Sequence, residues 1–280
     1  MQVFGALGAL ARDIQFIFQS PWIPASRTEM CVGVVQNYLY SVMSSGQTTA
    51  SPYKGARMKL HDFQQYLGLY RDLFIRHSCG MELDDPRPVI LDCGANLGMA
   101  TLYFKRRFPS ARIVAFEPNP DVFALLQENI SMNSLADVSA KEVAVAAQDG
   151  EATFVRRTVT DPGSFVTHRG VPDGVGSVTV PTVRLSTTVN RLGSVDLLKL
   201  DIEGSEYEVL GELEQTRALD KVKAFVIEYH AGKCPNPIED VLSLLSRNHF
   251  KYRLRADWKP WFELGEPYIV MIYVKAACCP

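Results

Sequence analysis

What most constrains this chain is an alternation that begins at Val89, where short β-branched runs are followed by stretches with apolar residues at three- and four-residue spacing. A run of the first kind makes a strand buried on both faces and a stretch of the second kind a helix buried on one side, so the repeat predicts parallel βαβ units. The predicted strands are residues 88–91, 112–116, 139–146, 196–200, 224–229, 251–255 and 268–275. Helices are predicted between them at about 99–107, 121–132, 206–213 and 237–248. Only residues 258–267 separate the last two strands, which should therefore pair as an antiparallel hairpin at the sheet's edge. The fold expected is α/β, a doubly wound sheet of seven mostly parallel strands.

Composition agrees with this and removes several functional classes. Hydrophobic residues make up 47% and charged residues 21% of 280, close to the average of soluble domains. A formal net charge of -2 and the lack of a long basic run argue against nucleic acid as a partner. Residues 1–11 are mildly apolar, carry no basic flank and are cut off by Arg12 and Asp13, too short to cross a bilayer, so no membrane partner is expected. Cys31, Cys79, Cys93, Cys234, Cys278 and Cys279 show neither C-x-x-C spacing nor a dense disulfide framework, which points to reduced thiols in a cytoplasmic protein. Asn129-Ile130-Ser131 spells a glycosylation sequon but falls in a predicted helix and is discounted.

Two segments depart from the alternation. Residues 151–185 contain strand-like runs at 153–157 and 177–183 around a Gly/Pro-rich centre, read as an inserted hairpin. Residues 1–80 form an N-terminal helical extension in which Leu60, Phe63, Leu67, Tyr70 and Phe74 make one apolar stripe, expected to pack on the sheet. The division expected is thus an extension over 1–80 and a main domain over 81–280, with the extension and the insertion acting as lids over a substrate pocket.

The first strand runs Val89-Ile90-Leu91-Asp92 into Cys93-Gly94-Ala95-Asn96-Leu97-Gly98 and then a helix, a turn in which backbone can approach a nucleotide-like ligand. A dinucleotide fingerprint would need glycine at 96 and 99, where the chain has Asn96 and Met99, so a pyrophosphate cradle does not fit. Asp92, Gly94, Asn96 and Gly98 suit a donor without phosphates, such as S-adenosylmethionine. The second strand ends at Glu117-Pro118-Asn119, placing an acid about 20 residues on, where a carboxylate can accept both ribose hydroxyls. The bland alternative is that Glu117 caps the following helix. Adenine is expected against residues 142–144, with Val143 in contact.

These residues resemble the FkbM family of methyltransferases over about 60–273, most sharply at Ile90 to Gly98, at Phe116-Glu117-Pro118-Asn119-Pro120, and at Leu197-Leu198-Lys199-Leu200-Asp201-Ile202-Glu203-Gly204-Ser205-Glu206. The resemblance implies a Rossmann-like class I methyltransferase fold, S-adenosylmethionine as donor, and a hydroxyl oxygen of a sugar, polyketide or similar small molecule as acceptor. Its third segment, an apolar strand that turns charged at its carboxyl end, adds Asp201 to the cofactor-binding set.

The next strand ends Ile227-Glu228-Tyr229-His230, and side chains two apart share a strand face, so Glu228 and His230 should point together into a cleft edged by Asp201 and Glu203. An alcohol is a poor nucleophile until its proton is removed, which makes His230 the expected general base, with Asp201 and Glu228 as catalytic partners. Asp201, Glu203, Glu228 and His230 are also suitable ligands for a divalent metal, a reading second to the acid-base one. Rival readings are a NAD-dependent oxidoreductase, which shares the strand, turn and acid, and a catalytically silent binding protein on the same fold.

Overall fold

The computed structural model describes residues 2–19, 27–43, 49–156, 165–167, 176–231, 233–256 and 269–276. In chain order the elements are α1 (Gln2–Gln19), α2 (Arg27–Met43), β1 (Thr49–Ala50), β2 (Met58–Lys59), α3 (Phe63–Tyr70), which runs on into a π turn (Arg71–Ile75), β3 (Val89–Cys93), α4 (Met99–Arg107), β4 (Arg112–Phe116), α5 (Pro120–Met132), β5 (Val138–Lys141), β6 (Ala144–Ala146), β7 (Gly150–Arg156), β8 (Phe165–Thr167), β9 (Gly176–Arg184), α6 (Leu185–Leu192), β10 (Leu197–Leu200), α7 (Glu206–Gln215), β11 (Ala224–His230), α8 (Ile238–Arg247), β12 (Phe250–Ala256) and β13 (Ile269–Ala276). The linker 258–267 between the last two strands and the cysteines Cys278 and Cys279 lie outside the described residues.

Seven strands form the main sheet in the order β12-β13-β11-β10-β3-β4-β5. The pairs from β11 through β10, β3 and β4 to β5 are parallel, and β13 runs antiparallel between β11 and β12, the expected edge hairpin. After β5 the chain returns to the other side of β3 as β10, so the order reverses between these two strands, where an open α/β sheet binds its ligand.

Both faces of the sheet are covered, which is why its central strands are apolar throughout. Ile90, Ile113, Leu197 and Val226 pack beneath α1 to α4 and the π turn, together with the stripe Leu60, Phe63, Leu67, Tyr70 and Phe74. Leu91, Val114, Leu198, Leu200, Phe225 and Ile227 pack on the opposite face against α6, α7 and α8. The N-terminal extension is tied into the first core by Ile17, Val34 and Tyr38, and by Asp13, which accepts from Arg71 Nε at 2.6 Å and Nη2 at 3.0 Å and from the Tyr38 hydroxyl at 2.7 Å.

Asn129 is buried in α5: its side-chain oxygen accepts from Lys59 N and its amide donates to the carbonyls of Lys59 and Leu97. That engagement rules out the sequon as a modification site in the folded chain. Cys31, Cys79, Cys93 and Cys234 are free thiols. Among the described residues, no helix is long and apolar enough to cross a membrane.

Two local expectations are corrected. The strand predicted over 139–146 is two strands: β5 completes the main sheet, whereas β6 leaves it to pair with β9 in a second sheet of order β6-β9-β7-β8. The inserted hairpin is thereby part of a small sheet, with β7 and β9 antiparallel from Gly150↔Thr182 to Arg156↔Gly176. α6 follows β9 directly, a helix not anticipated from its Thr-rich sequence.

Candidate active site at the strand ends

The turn after β3 is set by a close approach. Gly94 has φ +80, and a Cβ there would collide with the backbone carbonyl oxygen of Asp201, so only glycine lets the ends of β3 and β10 come this near. Gly98 also has positive φ and opens α4, but faces Leu126 rather than the cavity described below. Asn96 adopts φ +51, and its side-chain oxygen accepts from Leu97 N at 2.7 Å.

Glu117 at the end of β4 is 7% exposed. Its Oε2 accepts from Asn96 N at 2.9 Å and its Oε1 from Asn119 N at 2.8 Å. A carboxylate has about four lone-pair sites, so each oxygen retains capacity on the cavity side. The helix-capping alternative falls to Asn119, whose side chain accepts from Asp121 N at the start of α5. Burial, only partly offset by those two backbone N–H groups, pushes the Glu117 carboxyl up to about 7.

Between the turns of β3 and β10 lies a buried cation. Lys199, 5% exposed, donates to Gly94 O at 3.0 Å and to Asp201 Oδ2 at 3.1 Å, and stands 3.4 Å from Asp92 Oδ1. Burial opposes its charge, but Asp201 and Asp92 outweigh it and hold the ammonium well above its usual range. Asp92 is fully buried, accepts from Thr101 Oγ1 at 2.7 Å and does not reach the cavity; its place in the expected donor set is corrected to a support beneath Lys199.

At the ends of β10 and β11 the expected grouping is present. His230, 4% exposed, sets Nδ1 3.1 Å from Oε1 of the fully buried Glu206 and turns Nε2 toward Glu203 Oε2 (3.3 Å), Glu228 Oε1 (3.7 Å) and Asp201 Oδ1 (3.8 Å). Glu206 Oε1 also accepts from Ile202 N and Gly204 N, so this one oxygen closes the turn after β10. That turn carries Glu203 at φ +58, in the left-handed region that non-glycine residues adopt infrequently.

Burial alone would lower His230, but the bond to Glu206 and the charges of Asp201 and Glu203 outweigh it and raise the ring to about 9. The carboxylates around the ring thus favour its protonated form, and the same carboxylates compete with a general-base role for Nε2. Glu228 accepts no hydrogen bond among the described residues, and its side chain is 28% exposed to the cavity.

These groups share one cavity of about 390 Å³, within the range of small-molecule sites. Gly94, Asn96, Glu117, Pro118 and Asn119 line one part, and Val143 to Val145 with Phe154 bring in the small sheet. Lys199, Asp201, Glu203, Glu228, His230 and Lys233 line the other end, while Gln65, Leu69, Asp72, Leu73, Ser78 and Cys79 come from α3, the π turn and the segment after it. Among the described residues, none before Gln65 lines the cavity.

The sequence matches the Methyltransferase FkbM domain over residues 92–254, more than half of the 280 residues. The chain belongs to the FkbM methyltransferase family. Methyltransferase sdnD of Sordaria araneosa is 28% identical over 223 residues, covering 69% of this chain and 85% of that protein. The 2-O-methyltransferase NoeI of Sinorhizobium fredii is 28% identical over 183 residues, 58% of this chain and 73% of its own. The 31-O-demethyl-FK506 methyltransferase FkbM of Streptomyces tacrolimicus is 28% identical over 216 residues, 65% and 80% respectively.

In this FkbM-family methyltransferase, Lys199 and Glu206 are the site residues that sequence reasoning passed over. For Lys199 the signal was present: a lysine inside Leu-Leu-Lys-Leu stands in register with Asp92 inside Val-Ile-Leu-Asp, two opposite charges on adjacent buried strands.

Proposed function

We propose that this methyltransferase uses S-adenosylmethionine to methylate a hydroxyl oxygen of a small hydroxylated molecule. The observation that carries the reading is the single cavity joining the Gly94 turn and Glu117 to the carboxylate of Glu228, which accepts no hydrogen bond among the described residues. The donor fits the residues present. Gly94 admits close backbone approach, Glu117 keeps acceptor capacity for two ribose hydroxyls, and Val143 and Ala144 offer an apolar wall for adenine. When bound, S-adenosylmethionine supplies an electrophilic methyl group. The names of two relatives, a 2-O-methyltransferase and a 31-O-demethyl-FK506 methyltransferase, support oxygen as the acceptor atom.

The chain's own part is alignment and proton removal. Glu228 faces the cavity and accepts no hydrogen bond among the described residues; burial and Asp201 push its carboxyl up to about 8, so its carboxylate receives the acceptor's hydroxyl proton in the ionised form that dominates above that pH. Lys199 fixes Asp201, and Glu206 fixes the His230 ring, so the groups around Glu228 are held before substrate arrives. Gln65, Leu69 and Leu73 on one side and Phe154 on the other form the part of the wall that shapes the acceptor and excludes water, the portion of the lid reading the geometry favours.

The oxidoreductase alternative is disfavoured by Asn96, whose side chain already occupies Leu97 N at the start of α4, where a pyrophosphate would bind. Calorimetry with adenosylhomocysteine and NAD tests the donor, and release of adenosylhomocysteine against pools of hydroxylated metabolites tests the acceptor class. NAD binding tighter than adenosylhomocysteine, or turnover confined to amine acceptors, overturns the proposal.

A further inference from the structure

The acceptor end of the cavity carries more negative charge than its lysines neutralise. Asp201, Glu203, Glu206 and Glu228 surround His230, while Lys199 is shared between Asp201 and Asp92, and Lys233 pairs with Glu203. Behind the cluster, Glu206 is fully buried with Oε2 lacking any hydrogen-bond partner. A buried carboxylate with an orphan oxygen requires positive charge nearby.

We propose that Asp201, Glu203 and His230 bind one divalent metal cation. One carboxylate oxygen from each acid and one ring nitrogen lie within 4.8 Å of one another. About a cation with bonds of roughly 2.1 to 2.5 Å, ligands at right angles stand about 3.0 to 3.5 Å apart and opposite ones about 4.2 to 5.0 Å. The distance from His230 Nε2 to Glu203 Oε2, 3.3 Å, falls in the first range, and that to Asp201 Oδ1, 3.8 Å, lies between the two.

The ring's orientation is the second observation. Its Nδ1 is held by a buried carboxylate, Glu206, as metal-ligating histidines are held, and Nε2 makes no hydrogen bond among the described residues although the side chain is 5% exposed. Lys233 now shares Glu203 Oε2; its side chain is 21% exposed on a flexible stem and leaves when a cation takes that oxygen. Two carboxylates and one imidazole suit manganese, magnesium or zinc, and three protein ligands leave positions open toward the cavity.

The site stands independently of the donor and acceptor, because its test reads the metal directly. Chelator-stripped protein is titrated with Mn²⁺ alone and followed by loss of the free-ion electron paramagnetic resonance signal and by calorimetry. One ion per chain is expected, with affinity reduced tenfold or more in Asp201→Asn and in Glu203→Gln, and by about 10- to 100-fold in Glu206→Gln. Asp149→Asn, at a surface pair with Arg184, should bind as the wild type does. Thermal unfolding of the wild type should shift upward with Mn²⁺, a readout that stands even where a variant fails to fold. No stoichiometric binding by wild type at millimolar Mn²⁺, or the same affinity in Asp201→Asn and Glu203→Gln, overturns the site.

Discussion

Donor binding should depend on pH through Glu117. Burial raises its carboxyl to about 7 in the free protein, despite the N–H groups of Asn119 and Asn96. Ribose hydroxyls donate to the ionised form, so binding selects the carboxylate, and affinity rises with pH until Glu117 is ionised without ligand. With a midpoint near 7, about nine-tenths of the sites are ionised at pH 8 and about one-tenth at pH 6. The dissociation constant of adenosylhomocysteine should therefore increase about tenfold from pH 8 to pH 6, roughly 1.4 kcal/mol, and level off above pH 8. Calorimetry across this interval measures it, with the ligand's own ammonium and carboxylate not titrating there. Glu117→Gln is the control. Its amide has one acceptor oxygen, so it cannot receive both Asn96 N and Asn119 N. It should bind about ten- to a hundredfold more weakly at pH 8, the equivalent of 1.5 to 3 kcal/mol, with a flat profile. A flat profile in wild type, or a slope that survives in Glu117→Gln, refutes the assignment of Glu117 to the ribose.

Glu228→Gln should lower turnover on a verified acceptor by about a hundredfold or more while leaving adenosylhomocysteine affinity within a fewfold, and an unchanged kcat removes Glu228 as proton acceptor. Gly94→Ala forces an L-residue into φ +80 against the Asp201 carbonyl, so it should lower the melting temperature and abolish donor binding together; calorimetry on a well-folded variant with normal affinity contradicts the contact. Asn129→Ala orphans Lys59 N and the Leu97 carbonyl, and should cost about 1 to 3 kcal/mol for each buried group left unpaired, read by urea unfolding. Deleting residues 1–50 strips Ile17, Val34 and Tyr38 from the core and Asp13 from Arg71, so it should reduce stability more than acceptor affinity; a normally stable truncate with lost acceptor binding identifies the outer extension as a lid.

Much of the fold was legible because it rests on local periodicity. The bounds of α4 and β4 coincide with those read from sequence, and the pairing of β12 with β13 followed from the missing helix between them. The division of 139–146 was not legible, since no glycine or proline marks Glu142 and Val143, and β6 leaves the main sheet for a partner, β9, some forty residues later. α6 was hidden by Ser186, Thr187 and Thr188, which lower helix propensity although Leu185, Val189 and Leu192 keep helical spacing. In the site, chain alternation brought Glu228 and His230 to one face as anticipated, but the upward shift of the His230 ring was not readable. It depends on Glu206, which reaches the ring from the first turn of α7, the crossover helix between β10 and β11, 24 residues before His230.

The contact of Gly94 with the Asp201 backbone, reinforced by Lys199 bonding both turns, ties the proposed donor turn to the proposed acceptor turn. Binding at one turn is therefore expected to be felt at the other. Any factor by which the occupied donor loop strengthens acceptor binding must equal the factor by which acceptor strengthens donor binding, because the coupling free energy is reciprocal. Whichever ligand arrives first, the product of the two dissociation constants is the same, and a cell's donor supply and acceptor supply each set how tightly the enzyme holds the other.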